Sequence, residues 1–532
     1  MFPFSAQTRS ANLTRMAEER FDLLVIGGGI TGAGIALDAA SRGYSVALVE
    51  KDDYASGTSG RSSRLVHGGL RYLEQREFGL VRESLRERGI LFRLAPHLIR
   101  PVPMYMPADT FAARARYRAG LSGYELLAAG RNIGFHTSVT ARQAREVIPG
   151  FSDWPGGYRY YECRTDDARL TIEVARTAQA FGAVLANYAR AEGFLGGARV
   201  TGATVADQVT GQRFDIRAGV TVNATGIWAD RVAGLAAAGV TALPGAAARG
   251  ERLLPSKGVH LVFAPGAVRT RAAVVLRSVA GDGRIVFLVP WEDRVYAGTT
   301  DTPYSGDLDH PSVEDADRDY ILAAVAQAFP GVAGRDVVAS WAGLRPLLGG
   351  VQDDTRTYDL SRRHVIFEDP PGLFTITGGK LTTYRAMAED LVDRIGAVLG
   401  SGGLGPCGLG PGGRGPAGRG PGGPCLTRRI PLGLHGPVSQ ARDLAMAEAA
   451  RLGLAPGVGA RLVQRYGDDW RTAIRMIGED PSLGEPVADG LPVLNVELDL
   501  ARSREMALTD EDVLVRRTRL TTRDASVRLP AG

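Results

Sequence analysis

The stretch TGGKLTTYR at 377–385 holds Lys380, one of three lysines in a chain that carries 63 Lys plus Arg; the other two are Lys51 and Lys257. With sixty arginines alongside (63 − 3), a surviving lysine is either retained by chance or marks a place where a compact point charge serves and a broad planar fork does not. Gly378 and Gly379 bring the backbone close to a bound group. The helix opening near Thr382 points its N–H groups the same way, which biases the spot toward negative charge. The chemistry this suits is stabilisation of an anion: a phosphate, a developing alkoxide, or a ring that gains electrons.

A second set of residues stands near the other end. The apolar run FDLLVIG, from Phe21, leads into Gly27-Gly28-Gly29-Ile30-Thr31-Gly32, a G-x-G-x-x-G turn, then the helical pattern ITGAGIALDAASRG and the strand YSVALVE, which ends in Glu50 eighteen residues after Gly32. Gly27 allows the tight turn, Gly29 admits a pyrophosphate, and Gly32 lets helix pack on strand. The helix N-terminus receives the phosphates and Glu50 the ribose hydroxyls, which disfavours a 2′-phosphate and so NADP.

These residues need a scaffold. After Glu50 the chain leaves regular strand–helix alternation for YASGTSGRSSRLVHGGLRYLE, a loop of small donors suited to wrapping phosphates and a second ring system. It supplies Thr58, Ser59, Ser63 and His67 as cofactor contacts. Two later segments read as returns to the same sheet: GVTVNATGIWAD (219–230), with Gly226, and GLFTITGGKLTTYRAMAEDLVDRIG (372–396), with Gly379, Leu381 and Thr382. A cofactor touched at three such distant places is long, and FAD is. Trp228 and Trp341 read as core.

DLLVIGGGITGAGIALDAASRG, SSRLVHGGLRYLE, VNATGIWAD, SKGVHLVF, GTTDTPY, AGLRPL and TGGKLTTYR, in that order, resemble FAD-dependent glycerol-3-phosphate dehydrogenases of the D-amino-acid-oxidase-like flavoprotein group. HGGLRYLE and GGKLTTYR are the specific part; the glycine turn is common to the whole group. The resemblance runs from about Phe21 to Ala397 and resumes from about Thr427 to Leu520. It implies an α/β fold: a doubly wound, Rossmann-like FAD-binding domain interleaved with an antiparallel-sheet substrate domain, plus a C-terminal α-helical cap. The expected division is an N-terminal extension (1–20), an FAD-binding domain (21–95, 165–235 and 335–399), a substrate domain (96–164 and 236–334), a linker (400–426) and the helical domain (427–532). No catalytic role is assigned to the last. RIVFLVPW and RVYAGTTD are expected to form the sheet over the flavin.

The implied reaction is oxidation of sn-glycerol 3-phosphate to dihydroxyacetone phosphate, with electrons passed to a membrane quinone. Hydride transfer from a secondary alcohol needs proton removal from the hydroxyl, and the phosphate dianion needs fixed cations. In the matching segments, His260, Arg345 and Lys380 are the catalytic candidates, and Arg71, Tyr72 and Arg362 the substrate ligands. His260 is expected to titrate near neutral pH. Other readings stay open: an oxidase of the same substrate that uses oxygen, an amine or amino-acid oxidase of the same group, an RNA-binding flavoprotein, or a non-catalytic FAD sensor.

Composition bounds the rest. Net charge is +5 (63 − 58), mild for this length, so no nucleic acid is expected. The charge is uneven, with 12 arginines against five acids between Arg61 and Arg118. That block, or the basic end of VLVRRTRL, could face anionic lipid. Residues 1–20 lack the apolar core of a signal peptide, and no apolar run is long enough to span a membrane. The expected place is the cytoplasm, peripherally on the inner face of the cell membrane; a homodimer stays open. Residues 400–425 hold 13 Gly and 5 Pro and read as a flexible, disordered linker. Cys407 and Cys425 within it are too few for zinc, and no metal is expected.

Overall fold

A computed structural model describes residues 4–239, 253–349, 363–401, 422–488 and 490–528. Arg362, Cys407 and most of the Gly/Pro linker lie outside the described residues.

Two sheets carry the architecture. In the first, five parallel strands run in the order Leu373–Gly378, Arg213–Asn223, Arg20–Ile26, Val46–Val49 and Val184–Ala186. Arg20–Ile26, Val46–Val49 and Val184–Ala186 are short, mainly apolar runs, as parallel strands covered on both faces require, and Arg213–Asn223 is buried over its last six residues. The three segments expected to share a sheet (21–50, 219–230 and 372–396) do share it. One face is covered by the helix Ile30–Ser41, buried along nearly its whole length between the helices Asp167–Ala180 and Tyr384–Ser401.

Among the described residues the second sheet has ten strands and is mainly antiparallel, with Ile285–Trp291 and Arg294–Gly298 among them as expected. Leu253–Phe263 lies between Arg294–Gly298 and Val337–Leu348. This corrects one boundary. Residues 337–348, assigned from sequence to the FAD-binding part, pair in the second sheet. Register decides it: Ser256 faces Arg345 and Gly258 faces Gly343 across the pair.

Residues 1–20 are more than an extension. Ala6–Glu18 is a helix started by Ser5, and it is bound to the first sheet through Arg9 Nε donating to Asn187 O (2.8 Å) and Asn12 Nδ2 to Leu185 O (2.8 Å). The C-terminal part is helical, with Val438–Arg451, Val458–Tyr466, Trp470–Glu479 and Asn495–Arg504 around their own core. Thr509 and Asp512 cap each other's backbone reciprocally (3.2 and 3.0 Å), opening the turn Asp512–Arg517. Cys425, at the end of the linker, is held by contacts with Thr427 Oγ1 (3.1 Å) and Arg385 Nη1 (3.6 Å), so the disorder expected of 400–425 does not extend to it.

Candidate active site

The glycine turn lies where the first sheet's strands end. Gly27 sits at φ +115°, and a Cβ there would stand 2.6 Å from Ala224 O, so the neighbouring strand's own turn comes down on it. Gly29 begins the helix Ile30–Ser41 with no side-chain cap and no acid in the first turn, although Ser59 Oγ accepts from Ile30 N at 2.9 Å. Glu50 accepts from the amides of Gly28 (2.6 Å) and Asp52 (2.9 Å), and burial still pushes its carboxyl up to about 7.

From this turn a cavity of about 430 Å³ runs toward Lys380. Fourteen of the expected residues line it: Gly27, Gly29, Glu50, Thr58, Ser59, Ser63, His67, Gly226, His260, Arg345, Gly379, Lys380, Leu381 and Thr382. Gly32 does not, because it lies under the carbonyl of Gly27, where a Cβ would collide. Thr58 donates to Leu344 O (2.6 Å) and Thr382 Oγ1 accepts from His67 N (3.3 Å), which tie the loop to both sheets. Trp228, read as core, is instead part of the cavity wall, with Lys51 Nζ 4.4 Å over its ring.

A second cavity, of about 800 Å³, opens beside the first, and Ser63, Leu65, His67, Arg345 and Lys380 belong to both walls. Arg71 and Tyr72 line only the second. Six cations (Arg71, Arg116, Arg277, Arg284, Arg345, Lys380) face three carboxylates (Glu74, Glu162, Asp301), so this space favours anions.

Arg345 donates to Thr299 Oγ1 (2.8 Å) and Thr300 O (3.1 Å), lies 3.5 Å from Asp301, and rests on Gly258, where a side chain would displace it. Asp301 also accepts from Ser256 Oγ. Gly258, Thr299 and Asp301 therefore build the seat of Arg345. All three stand inside SKGVH and GTTDTPY, and nothing local in those motifs indicates that they serve an arginine. Lys380 Nζ lies 4.0 Å over the Tyr72 ring and 3.4 Å from Ser84 Oγ. The narrow room expected beside it is made by Gly69 and Tyr72; Gly378 and Gly379, at φ +79° and +75°, turn the chain instead.

His260 differs from expectation. Its Nε2 meets Ser63 Oγ at 2.9 Å and its ring stacks on Trp341 at 4.7 Å. Burial, then the charges of Arg345 and Arg64, hold it well below the usual histidine range, so it is an uncharged imidazole at neutral pH. Trp341, as expected, is core.

Residues 22–394 match the family of FAD dependent oxidoreductases.

The chain belongs to the FAD dependent oxidoreductase family.

Residues 425–531 of this flavoprotein match the C-terminal domain of alpha-glycerophosphate oxidase. A glycerol-3-phosphate dehydrogenase 2 of Mycobacterium tuberculosis (strain H37Rv) is 39% identical over 524 residues, covering 96% of this chain and 83% of that protein. An alpha-glycerophosphate oxidase of Streptococcus pneumoniae is 36% identical over 458 residues, 74% of each chain. The crystal structure of a glycerol-3-phosphate dehydrogenase from Bacillus halodurans complexed with FAD superposes with a TM-score of 0.76 at 34% identity, covering 98% of this chain and 90% of that one.

FAD is the cofactor, and the chain's own residues fit it: an uncapped helix N-terminus at a glycine turn, a carboxylate at the next strand's end, and one cavity lined by both that turn and Lys380. His260 belongs to that cavity's lining, and its buried Nδ1 has no hydrogen-bond partner among the described residues.

Sequence reasoning missed what the C-terminal part of this flavoprotein does to the cofactor loop. Asp53, at the loop's start, accepts from Arg516 Nε (2.6 Å) and from Arg517 Nη1 and Nη2 (2.6 and 2.8 Å). Further along, Gly60 O accepts from Arg519 Nη1 (3.0 Å), while Asp167 joins Arg519 to the amide of Ser62 (2.8 Å). The basic end of VLVRRTRL is thus buried inside the molecule, and it is no lipid-facing surface.

Proposed function

We propose that this flavoprotein oxidises sn-glycerol 3-phosphate to dihydroxyacetone phosphate and passes the electrons to a membrane quinone. The observation that carries this reading is the cationic second cavity, joined to the cofactor cavity at Arg345, Lys380 and His67. The relatives named for this substrate support it.

Bound FAD would supply the acceptor for a hydride from the substrate's secondary carbon and the store from which the electrons pass on. The chain's residues do the remaining work. Arg345, Lys380 and Arg71 hold the phosphate ester and orient the carbinol carbon toward the cofactor cavity, and Tyr72 supports the ammonium of Lys380 from below. Lys380, at the junction, also stabilises charge that develops on the oxygen or on the reduced ring. His260 stays uncharged; with its proton on Nε2, donated to Ser63, Nδ1 keeps a lone pair for the hydroxyl proton. Arg362 completes the candidates inferred from sequence.

For the acceptor, the helix Phe111–Leu127 supports a membrane surface. Phe111 and Leu126 stand 88% and 81% exposed, Phe135 nearby 67%, and Arg114, Arg116 and Arg118 are exposed between them. Exposed apolar residues beside cations suit the interface of an anionic bilayer. The same helix lines the second cavity with Arg116, Tyr117, Gly120 and Leu121. No helix among the described residues is long and apolar enough to cross a membrane, so association is peripheral, at the inner face of the cell membrane.

The test is anaerobic mixing of purified protein with glycerol 3-phosphate, glycerol and a D-amino acid, followed by flavin absorbance. Bleaching by the phosphate ester alone is expected, and bleaching by the amino acid would overturn the reading. Reoxidation by a quinone analogue, faster than by air, is expected; the reverse order would make this an oxidase.

A further inference from the structure

Arg64 is buried at 3% exposure between two tryptophans, its guanidinium carbon 4.0 Å from the Trp291 ring centre and 4.4 Å from that of Trp341. Its Nε and Nη2 are buried with no hydrogen-bond partner among the described residues. The backbone is unusual too, at φ +55°, a conformation an arginine adopts at a cost. A buried cation whose donors go unused is unfavourable in itself, and arrangements of this kind persist where surrounding structure exploits them.

The use is visible one layer further. Trp341 in turn stacks on His260, ring centres 4.7 Å apart and planes 11° from parallel. Trp291, Arg64, Trp341 and His260 therefore form one column. The residue before Arg64 closes the second contact: Ser63 Oγ meets His260 Nε2 at 2.9 Å, while Tyr296 OH fixes Ser63 O at 2.8 Å. The two neighbours Ser63 and Arg64 thus hold His260 by its edge and, through Trp341, by its face.

We propose that Arg64 is a positioning residue for His260: the cation clamps Trp341 against the imidazole and fixes the ring's plane and tautomer beside the cofactor cavity. This rests on the reading of His260 as a group of the reaction.

The electrostatics agree. The groups facing His260 are Arg345 and Tyr296 on neighbouring strands, with Arg64 behind Trp341. Those facing Arg64 are Arg519, Asp167, Asp166 and Tyr296. Burial is the main cause of the histidine's low proton affinity, and the charges of Arg345 and Arg64 add to it. Arg64 itself is pushed down to about 10, by burial and then by Arg519, so it remains a cation at working pH.

The experiment uses full-length holoenzyme labelled with ¹⁵N-histidine, whose seven imidazoles each give a pair of ring-nitrogen signals. His260 is assigned by its loss in His260→Gln. In the parent the His260 signal is expected to stay that of one neutral tautomer from pH 8 to pH 5.5. In Arg64→Met the ring is expected to lose its single tautomer and take up a proton within that range. Turnover should fall about tenfold with KM for glycerol 3-phosphate within twofold, and Arg64→Lys should recover part of it. If Arg64→Met does not fold, Trp291→Leu opens the column from its far end with the charge retained, and the same loss of a single tautomer is expected. An unchanged His260 signal in whichever variant folds would overturn the proposal. Altered tautomers with unchanged flavin reduction would keep Arg64 as positioner and remove His260 from the reaction, which separates this inference from the reading it rests on.

Discussion

Lys380 Nζ lies 4.0 Å over the ring of Tyr72. This cation–π contact joins the HGGLRYLE loop to the GGKLTTYR turn at the junction of the two cavities. Lys380 is half-buried, and contacts of this kind that solvent still reaches are worth about 0.5–1 kcal/mol, so the ammonium is biased toward this place before any ligand arrives. Lys380→Met is expected to fold and bind FAD but to lose on the order of 10²–10³ in turnover, as for removal of one pre-placed donor. Lys380→Arg should recover little, because a Cβ placed on Gly69 would already stand 3.2 Å from Nζ, and a fork needs more room than that. A lowered flavin potential in Lys380→Met would mean that the ammonium serves the flavin. An unchanged potential with weaker phosphate-ester binding would mean that it serves the substrate. Normal turnover would make the lysine a bystander.

Gly258 gives a second, indirect handle on the site. A methyl group there would occupy the place of Arg345 Nη2. Gly258→Ala is expected to behave like Arg345→Met, with KM for glycerol 3-phosphate raised about tenfold or more, which is on the order of 1.4 kcal/mol, and FAD content unchanged. Steady-state kinetics with FAD quantified by absorbance checks both. A Gly258→Ala enzyme with native KM would mean that Arg345 does not bind substrate in this seat.

Asp53 sets an acid limit on the holoenzyme. Burial pushes its carboxyl up, but Arg517 and Arg516 outweigh burial and hold it down at about 2, against 3.8 for a free side chain. A depressed carboxylate contributes stability that is complete above pH 3.8 and is lost as pH falls toward 2. That contribution is on the order of 2 kcal/mol. Flavin fluorescence should therefore rise as FAD is released between pH 4 and pH 2, and in Asp53→Asn that release should already be partial at pH 5. Identical release curves would place the acid-sensitive group elsewhere.

Arg517 is the other half of that pair. Arg517→Met leaves the wholly buried Asp53 with the charge of Arg516 and the amide of Asn187 (3.0 Å), and breaking a buried pair typically costs about 3–5 kcal/mol. A marked drop in thermal midpoint is expected, with FAD leaving below the temperature at which helicity is lost, because the loop that carries Thr58, Ser59 and Ser63 starts at Asp53. Simultaneous loss of FAD and helicity would make the contact a general stabiliser only.

Membrane association should follow the exposed helix. Replacing Phe111 and Leu126 together by Ser is expected to release the protein from anionic vesicles at a salt concentration that leaves the parent bound. Raising salt toward 1 M should weaken the parent too, as screening shortens from about 10 Å at 0.1 M to about 3 Å. Sedimentation with vesicles measures both. Equal binding by parent and double variant would exclude this face.

The sequence by itself determined the cofactor half of the protein. The strand–glycine turn–helix–strand unit from Phe21 to Glu50, the small-residue loop after it, and the returning strands at 219–230 and 372–396 are written in apolar periodicity and turn chemistry. Both act over a few residues and so can be read locally. Lys380 was legible for a different reason, its rarity among arginines.

Only the tertiary structure decided which partner each charge meets. Arg64, Arg71 and Arg88 belong to one basic block in sequence, yet the first is caged by tryptophans, the second lines a cavity, and the third pairs with Glu162 inside the molecule. VLVRRTRL looked like a basic surface and is a set of buried ion pairs with Asp53, Asp166 and Asp167. Val337–Leu348 was placed by its partner strand Leu253–Phe263, and His260 was kept uncharged by the walls around it. The physical reason is common to all of these. Burial and Coulomb interaction depend on distance in space, and the topology brings together residues hundreds of positions apart without leaving a pattern in the residues near either one.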